Sequence, residues 1–194
     1  QAAVGKFTNN SYAAYSDRGP AVQQAFDNSY AAGMLHVAAA GNAGSSTDSI
    51  GFPARYNSVI AVAATDSTDT RASWSSTGPA MEMAGPGVQV LTTAPGNSYL
   101  YANGTSFATP HVAGTAALIY NCGITTNTAI RSRLQQTAQD LGAAGRDNLY
   151  GYGLVRADLA ATNCLAPPPQ PPAAPSSLTA SNGGARRVNL AWKD

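Results

Sequence analysis

Charged side chains are scarce in this sequence. Of its 194 residues only 11% are charged, 11 basic and 10 acidic, for a net charge of +1, against about 25% charged residues in an ordinary soluble domain. Nucleic-acid binding needs a clustered excess of Lys and Arg, so no nucleic-acid partner is expected. At 44% hydrophobic residues the composition also differs from that of disordered chains. We expect a folded core with a surface of Ser, Thr, Asn and Gln.

Long apolar runs are also lacking. The longest, residues 34–40, contains His36 and is far shorter than the roughly 20 residues of a membrane span. No membrane span is expected. Gln1 is followed by no basic and apolar block of the signal-peptide type, which suggests an internal start. The length corresponds to one domain plus a remnant, at about 150 residues per domain.

Short apolar segments alternate with amphipathic ones along the first 160 residues. Residues 1–16 have no clear period and are interpreted as a surface loop. The patterns predict a helix from Pro20 to near Gly33 and buried strands at residues 34–40, 59–64 and 88–93. Further helices are predicted at residues 106–120 and 130–142. This alternation predicts an α/β fold, with a mostly parallel sheet between helix layers.

The composition changes after Cys164. Residues 166–175 contain six prolines, which is typical of a stiff, extended linker. Val188, Leu190 and Trp192 then alternate as on one face of a strand. We therefore predict a domain at residues 1–165, the linker, and the truncated start of a second module at 176–194.

One segment, GTSFATPHVAG at residues 104–114, contains a serine at the start of a predicted helix. Unpaired N–H groups and the helix dipole at that position stabilise a negative charge, which suits a nucleophilic serine. Helix capping is the commoner role of such a serine, and position alone favours it. Ala108 stands where the α/β-hydrolase turn needs glycine, so that motif is excluded.

The segment resembles the nucleophile motif of the subtilisin-like serine proteases. Other motifs of that family precede it in order: AAAGN at 38–42, GFPA at 51–54, RASWSSTG at 71–78 and GPG at 85–87. The resemblance implies a three-layer subtilisin-like fold. It also implies that Ser106 is the nucleophile and Asn42 the side-chain donor of the oxyanion hole. At Phe52-Pro53 it suggests a cis peptide bond, with an ordinary trans loop proline as the alternative.

Neither histidine of the chain suits the role of general base. On a helix His111 would lie about 140° around the axis from Ser106, and His36 would lie up to about 20 Å along a strand from Asn42. Both are interpreted as core residues that pack or form hydrogen bonds. In the resembling family the catalytic Asp and His come earlier in the chain. We therefore expect a fragment with its N-terminal part missing, inactive alone.

Small residues define the implied pocket for P1, the substrate residue whose carbonyl is attacked. The resemblance places Gly51 at its base and the segment Ala39, Ala40 and Gly41 along one wall. No charge in these residues would select Lys or Arg. The space that they leave predicts broad specificity with a preference for large apolar or aromatic side chains.

A structural calcium ion is a further implication of the resemblance, specifically to the proteinase K branch. Its ligands would be the carbonyls of Asn57 and Val59 and the carboxylate of Glu82, since Ca²⁺ prefers oxygen ligands. The family usually has Asp at the last position, and a solvated Glu82 is the alternative. No cofactor is required for the chemistry.

These features predict a secreted, extracellular and monomeric serine endopeptidase that acts on protein or peptide substrates. The alternative is a secreted pseudoprotease that binds or adheres without catalysis. Residues 176–194 resemble the first two strands of a fibronectin type III module, in which Trp192 would be the buried aromatic residue.

Cys122 and Cys164 are predicted to form a disulfide that ties the end of the domain to the nucleophile helix, with two free thiols as the alternative. The bond would contribute about 2 to 4 kcal/mol to stability. Intact mass after alkylation should show no modified cysteine without reductant and two with it. Two alkylated thiols under non-reducing conditions would contradict the prediction.

Overall fold

The computed structural model describes residues 5–44, 46–162, 176–182 and 188–193. The chain divides into two units, residues 1–164 and 165–194. Cys164 and the linker at 166–175 lie outside the described residues, so the disulfide stays a prediction.

A parallel sheet forms the centre of the larger unit. Its strands lie in the spatial order β1, β2, β3, β4, with the bounds β1 (Phe7–Asn10), β2 (Leu35–Ala39), β3 (Val59–Thr65) and β4 (Met81–Pro86). All residues of β2 and β3 are buried, as their continuous apolar runs predict. Ala38 pairs with Ala61 in the register of these two strands.

Helices cover both faces of the sheet. They are α1 (Pro20–Ala31), α2 (Thr105–Asn121), α3 (Asn127–Thr137) and the short α4 (Ala157–Ala160). Pro20 begins α1, where its fixed φ angle suits the first turn. Within the described ranges, no helix is long and apolar enough to cross a membrane.

Alternate residues of β3 belong to two different cores. Ile60 and Val62 pack with Val112 and Ile119 of α2 on one face. Ala61 and Ala63 pack on the other face, where Phe26 of α1 also contributes. The sheet therefore lies between two helix layers, which confirms the predicted α/β architecture.

Two strand predictions need correction. Residues 1–16 are not loop throughout, because β1 pairs in parallel with β2. Phe7 is the only apolar residue of β1, so the sequence shows no strand pattern there. The polar Thr8 is accommodated by a hydrogen bond of 2.7 Å between its hydroxyl and His36 Nδ1. The predicted strand at 88–93 is present as β5 (Val90–Ala94), but it forms a separate antiparallel hairpin with β6 (Ser98–Ala102).

The helix predicted at 130–142 ends earlier, at Thr137. Ala138 is extended, and Gln139 exchanges two backbone hydrogen bonds of 2.9 Å with Leu154. Pairing with a distant segment therefore replaces the last predicted turn.

In the smaller unit, β7 (Ser176–Asn182) and β8 (Val188–Lys193) pair antiparallel. The strand predicted around Val188 is confirmed. The fibronectin type III identity and the role of Trp192 stay predictions.

A buried ion pair joins α3 to β4. Glu82 is 5% exposed and accepts hydrogen bonds from Arg131 Nε at 2.6 Å and from Gln135 Nε2 at 2.8 Å. Arg131 Nη1 also donates to the carbonyl of Asn57 at 2.8 Å, and its guanidinium lies 5.6 Å from the centre of the Tyr30 ring. Both carboxylate oxygens of Glu82, the charged residue within β4, are thus paired with Arg131.

We expect Arg131→Leu to lower the free energy of unfolding by about 3 to 5 kcal/mol, because it leaves a buried carboxylate unpaired. Chemical denaturation followed by circular dichroism measures the change. Arg156→Leu is the matched control, since Arg156 pairs with Asp158 at the surface, and should change stability little. Adding Glu82→Gln to Arg131→Leu should recover part of the loss. Equal effects of the two arginine variants would contradict this role of the buried pair.

Candidate active site

Ser106 lies in the first turn of α2, at the carboxyl edge of the sheet. The chain enters this helix through Gly104, whose N–H donates to the carbonyl of Gly87 at 2.9 Å. A Cβ atom on Gly87 would lie 2.6 Å from that of Ala64 and 2.9 Å from the carbonyl oxygen of Gly104. Only glycine permits this approach, so the loop after β4 sets the position of the helix start.

The carbonyl of Ser106 is free of the usual helical bond, because Pro110 lies four residues later and has no N–H. Ser11, just after β1, donates its hydroxyl to that carbonyl at 2.8 Å. The hydroxyl of Ser106 in turn donates to the carbonyl of Ser11 at 2.9 Å. The candidate nucleophile is therefore bound to the β1 end by two reciprocal hydrogen bonds.

Asn42 follows β2 and is oriented by Thr105. Its Oδ1 accepts from the Thr105 N–H at 3.1 Å and from the Thr105 hydroxyl at 2.9 Å. A backbone N–H can only donate, so the atom that faces it must be the amide oxygen. The amide nitrogen Nδ2 therefore points away from Thr105.

Two donors meet beside the start of α2. Asn42 Nδ2 would lie 3.6 Å from a Cβ atom placed on Gly104. The N–H of Ser106 belongs to the first helical turn, where N–H groups have no partner within the helix. Donors of this kind can stabilise a developing negative charge when both point at it.

Neither histidine contacts Ser106. His36 is 3% exposed, and its two ring nitrogens bond to Thr8 at 2.7 Å and Ser29 at 2.8 Å. Burial lowers its pKa, so it stays neutral near pH 7. This confirms its interpretation as a hydrogen-bonded core residue.

His111 is exposed on α2, which corrects its assignment to the core. Its Nδ1 bonds to the carbonyl of Phe107 at 2.8 Å, within the same helix. The described residues thus contain no histidine placed to act as a base for Ser106.

The residues expected to line the P1 pocket come together. Ala39, Ala40 and Gly41 are buried at the end of β2, and Gly51 donates its N–H to the carbonyl of Ala40 at 2.8 Å. The Phe52-Pro53 peptide bond that follows is cis, as the resemblance suggests.

The loop after β1 forms another side of this region. A Cβ atom on Gly51 would lie 2.9 Å from that of Ala13, and Ala14 pairs with Phe52 through hydrogen bonds of 2.9 and 2.7 Å. Tyr15 then reaches across to Asn42, whose backbone N–H donates to the Tyr15 hydroxyl at 2.8 Å.

The residues expected to bind calcium do not fit that ion as they are arranged. Arg131 takes both the Asn57 carbonyl and the Glu82 carboxylate, so a cationic group already lies between two of the three expected ligands. Val59 belongs to a buried strand. Among the described residues, no cluster of three His, Cys, Asp or Glu could hold a metal ion.

Sequence reasoning missed three residues that contact the candidate catalytic pair. Ser11 and Tyr15 lie in a segment interpreted as loop, and only the tertiary structure brings them to Ser106 and Asn42. Thr105 belongs to the GTSFATPHVAG segment at 104–114, directly before Ser106. Its position next to the candidate nucleophile was a signal that could have identified it.

The sequence is similar to those of known subtilisins. Subtilisin DY of Bacillus licheniformis is 50% identical over 144 residues, which are 73% of this chain and 52% of that protein. Subtilisin BL of Lederbergia lenta is 47% identical over 140 residues, 72% of this chain and 50% of that protein. The chain thus spans about half the length of these relatives.

Two solved structures share the fold. A lanthipeptide protease aligns with a TM-score of 0.72 at 28% identity, over 80% of this chain and 60% of that one. A psychrophilic subtilisin-like protease from Pseudoalteromonas sp. AS-11 aligns with a TM-score of 0.71 at 20% identity, over 80% of this chain and 69% of that one. Residues 3–153 match the Subtilase family of peptidases, and the chain belongs to that family.

Proposed function

We propose that this chain supplies the nucleophile and the oxyanion hole of a serine-type endopeptidase. The observation that carries the proposal is the pair of hydrogen bonds from Thr105 to Asn42 Oδ1. They direct the amide nitrogen away from Thr105, and it lies 3.6 Å from the position of a Cβ atom on Gly104, two residues before Ser106. An aspartate could accept the same two hydrogen bonds, but only an asparagine also supplies an N–H donor.

In the proposed reaction the Ser106 hydroxyl attacks the carbonyl carbon of a peptide bond. The negative charge that develops on the carbonyl oxygen is stabilised by the Ser106 N–H and Asn42 Nδ2. A histidine accepts the serine proton and returns it to the leaving amine, while an aspartate orients that histidine. Membership of the family supports placing both groups outside these 194 residues.

Reaching that base requires the Ser106 hydroxyl to leave the carbonyl of Ser11, to which it now donates at 2.9 Å. Because the described residues place no histidine beside Ser106, we expect the chain alone to hydrolyse peptides negligibly. The fragment interpretation rests on this arrangement and on a match to about half of the related subtilisins.

The substrates that we propose are proteins and peptides with an apolar P1 side chain. Ala39, Ala40, Gly41 and Gly51 contribute no charge to the pocket, so selection for Lys or Arg is not expected. Family membership favours a secreted, extracellular protein, which we further propose to be monomeric. The chemistry needs no cofactor, and the Arg131 contacts argue against calcium at Glu82.

The alternative function is that of a non-catalytic binding protein on the same scaffold. The placement of both histidines away from Ser106 is the observation that favours it. A full-length protein that lacks a histidine near Ser106 would match this alternative, and the reactivity of Ser106 separates the two functions.

A fluorophosphonate should label Ser106 in the full-length protein, and Ser106→Ala should abolish both labelling and turnover. Asn42→Ala should lower kcat by the roughly 10²- to 10³-fold known from a subtilisin, with a smaller change in KM. Asn28→Ala is the matched control, because Asn28 lies exposed on α1, where its side chain accepts a hydrogen bond from Gln24. Mass spectrometry locates the label, and hydrolysis of peptide nitroanilides gives the rates.

Absence of labelling in a folded full-length protein would favour the binding function. Full Ser106-dependent turnover by the 194-residue chain alone would show instead that the base lies within it.

A further inference from the structure

Tyr15 reaches across the candidate substrate pocket. The residue lies in the loop between β1 and α1, but its hydroxyl accepts the backbone N–H of Asn42 at 2.8 Å. A Cβ atom on Gly41 would lie 2.7 Å from that hydroxyl oxygen and 3.1 Å from ring atom Cε1. The edge of the phenol ring therefore packs directly on the backbone of Gly41.

The loop that carries Tyr15 is held on the opposite side of this region. Ala14 is fixed by its two hydrogen bonds to Phe52, and Ala13 lies against Gly51. The side chain of Tyr15 thus begins beside the pocket base and ends on the wall that Gly41 forms. Its ring spans the space between them.

The ring is nevertheless largely open to solvent. Tyr15 is 60% exposed, and its hydroxyl is anchored to Asn42. An exposed aromatic face anchored at its far end can contact a bound side chain, and it excludes one that needs the same volume. The glycine at residue 41 is what leaves room for the ring.

We propose that Tyr15 determines specificity by limiting the size of the P1 side chain. This inference rests on the proposed peptidase site, and it refines the expectation of a pocket open to large side chains. Small apolar residues such as alanine fit beside the ring, whereas phenylalanine competes with it for space. The bond to Asn42 holds the ring in that position.

Peptide nitroanilides that differ only in P1, alanine or phenylalanine, test the size limit in the full-length protein. Tyr15→Ala should raise the phenylalanine-to-alanine ratio of kcat/KM at least tenfold, within the range known for hydrophobic pockets. Tyr15→Phe keeps the ring but loses its anchor, so we expect a smaller rise. Tyr99→Ala is the matched control, because Tyr99 is 72% exposed on β6, and should leave the ratio unchanged.

A binding measurement separates this inference from the peptidase proposal. In the Ser106→Ala background, calorimetry compares the Kd of two tetrapeptide acids, Ala-Ala-Ala-Ala and Ala-Ala-Ala-Phe, with and without Tyr15→Ala. Tyr15→Ala should raise the affinity for the phenylalanine peptide, relative to the alanine peptide, by the same factor of at least ten. This change should appear even if no variant shows turnover. A change of less than twofold in a variant with a native circular dichroism spectrum, or equal binding of both peptides to all variants, would overturn the role of Tyr15.

Discussion

The burial of a parallel sheet on both faces is the constraint on which this structure depends. The strands β2 and β3 offer apolar side chains in both directions, so helices must cover each side. Parallel strands also run the same way, and their carboxyl ends therefore meet at one edge. Gly41 and Asn42 emerge there after β2, Gly87 emerges after β4, and the start of α2 lies against them. Candidate catalytic groups from distant parts of the chain are brought together by this requirement alone.

The sequence predicted the elements whose signal is local. Continuous apolar runs marked β2 and β3, and glycine and proline marked the ends of α1. No strand was predicted at β1 or at β4, where polar side chains replace or interrupt the apolar pattern. Glu82 in β4 is paired by Arg131, and Thr8 in β1 is bonded by His36. Each partner is remote in sequence, so no local pattern could reveal that these polar groups are satisfied.

The candidate site, too, was predicted only in part from the sequence. Ser106 and Asn42 stand in recognisable motifs, and the structure brings them together as expected. The contacts of Ser11 and Tyr15 depend on where the loop after β1 lies against β2 and α2, which has no signature in composition or spacing. The expected calcium ligands are a different case. The residue types suit the ion, but the guanidinium of Arg131, contributed by α3, already bonds to two of the three expected ligands, the Asn57 carbonyl and the Glu82 carboxylate.

Pro110 links the candidate nucleophile to the loop after β1. Because it supplies no N–H, the turn of α2 that carries Ser106 is completed by a side chain from the loop after β1 and not by the helix itself. That loop also borders the pocket through Ala13 and Ala14. The loop that borders the expected pocket is therefore also the segment that holds the backbone of Ser106. A single proline thus makes the position of the candidate nucleophile depend on a segment about 95 residues earlier in the chain.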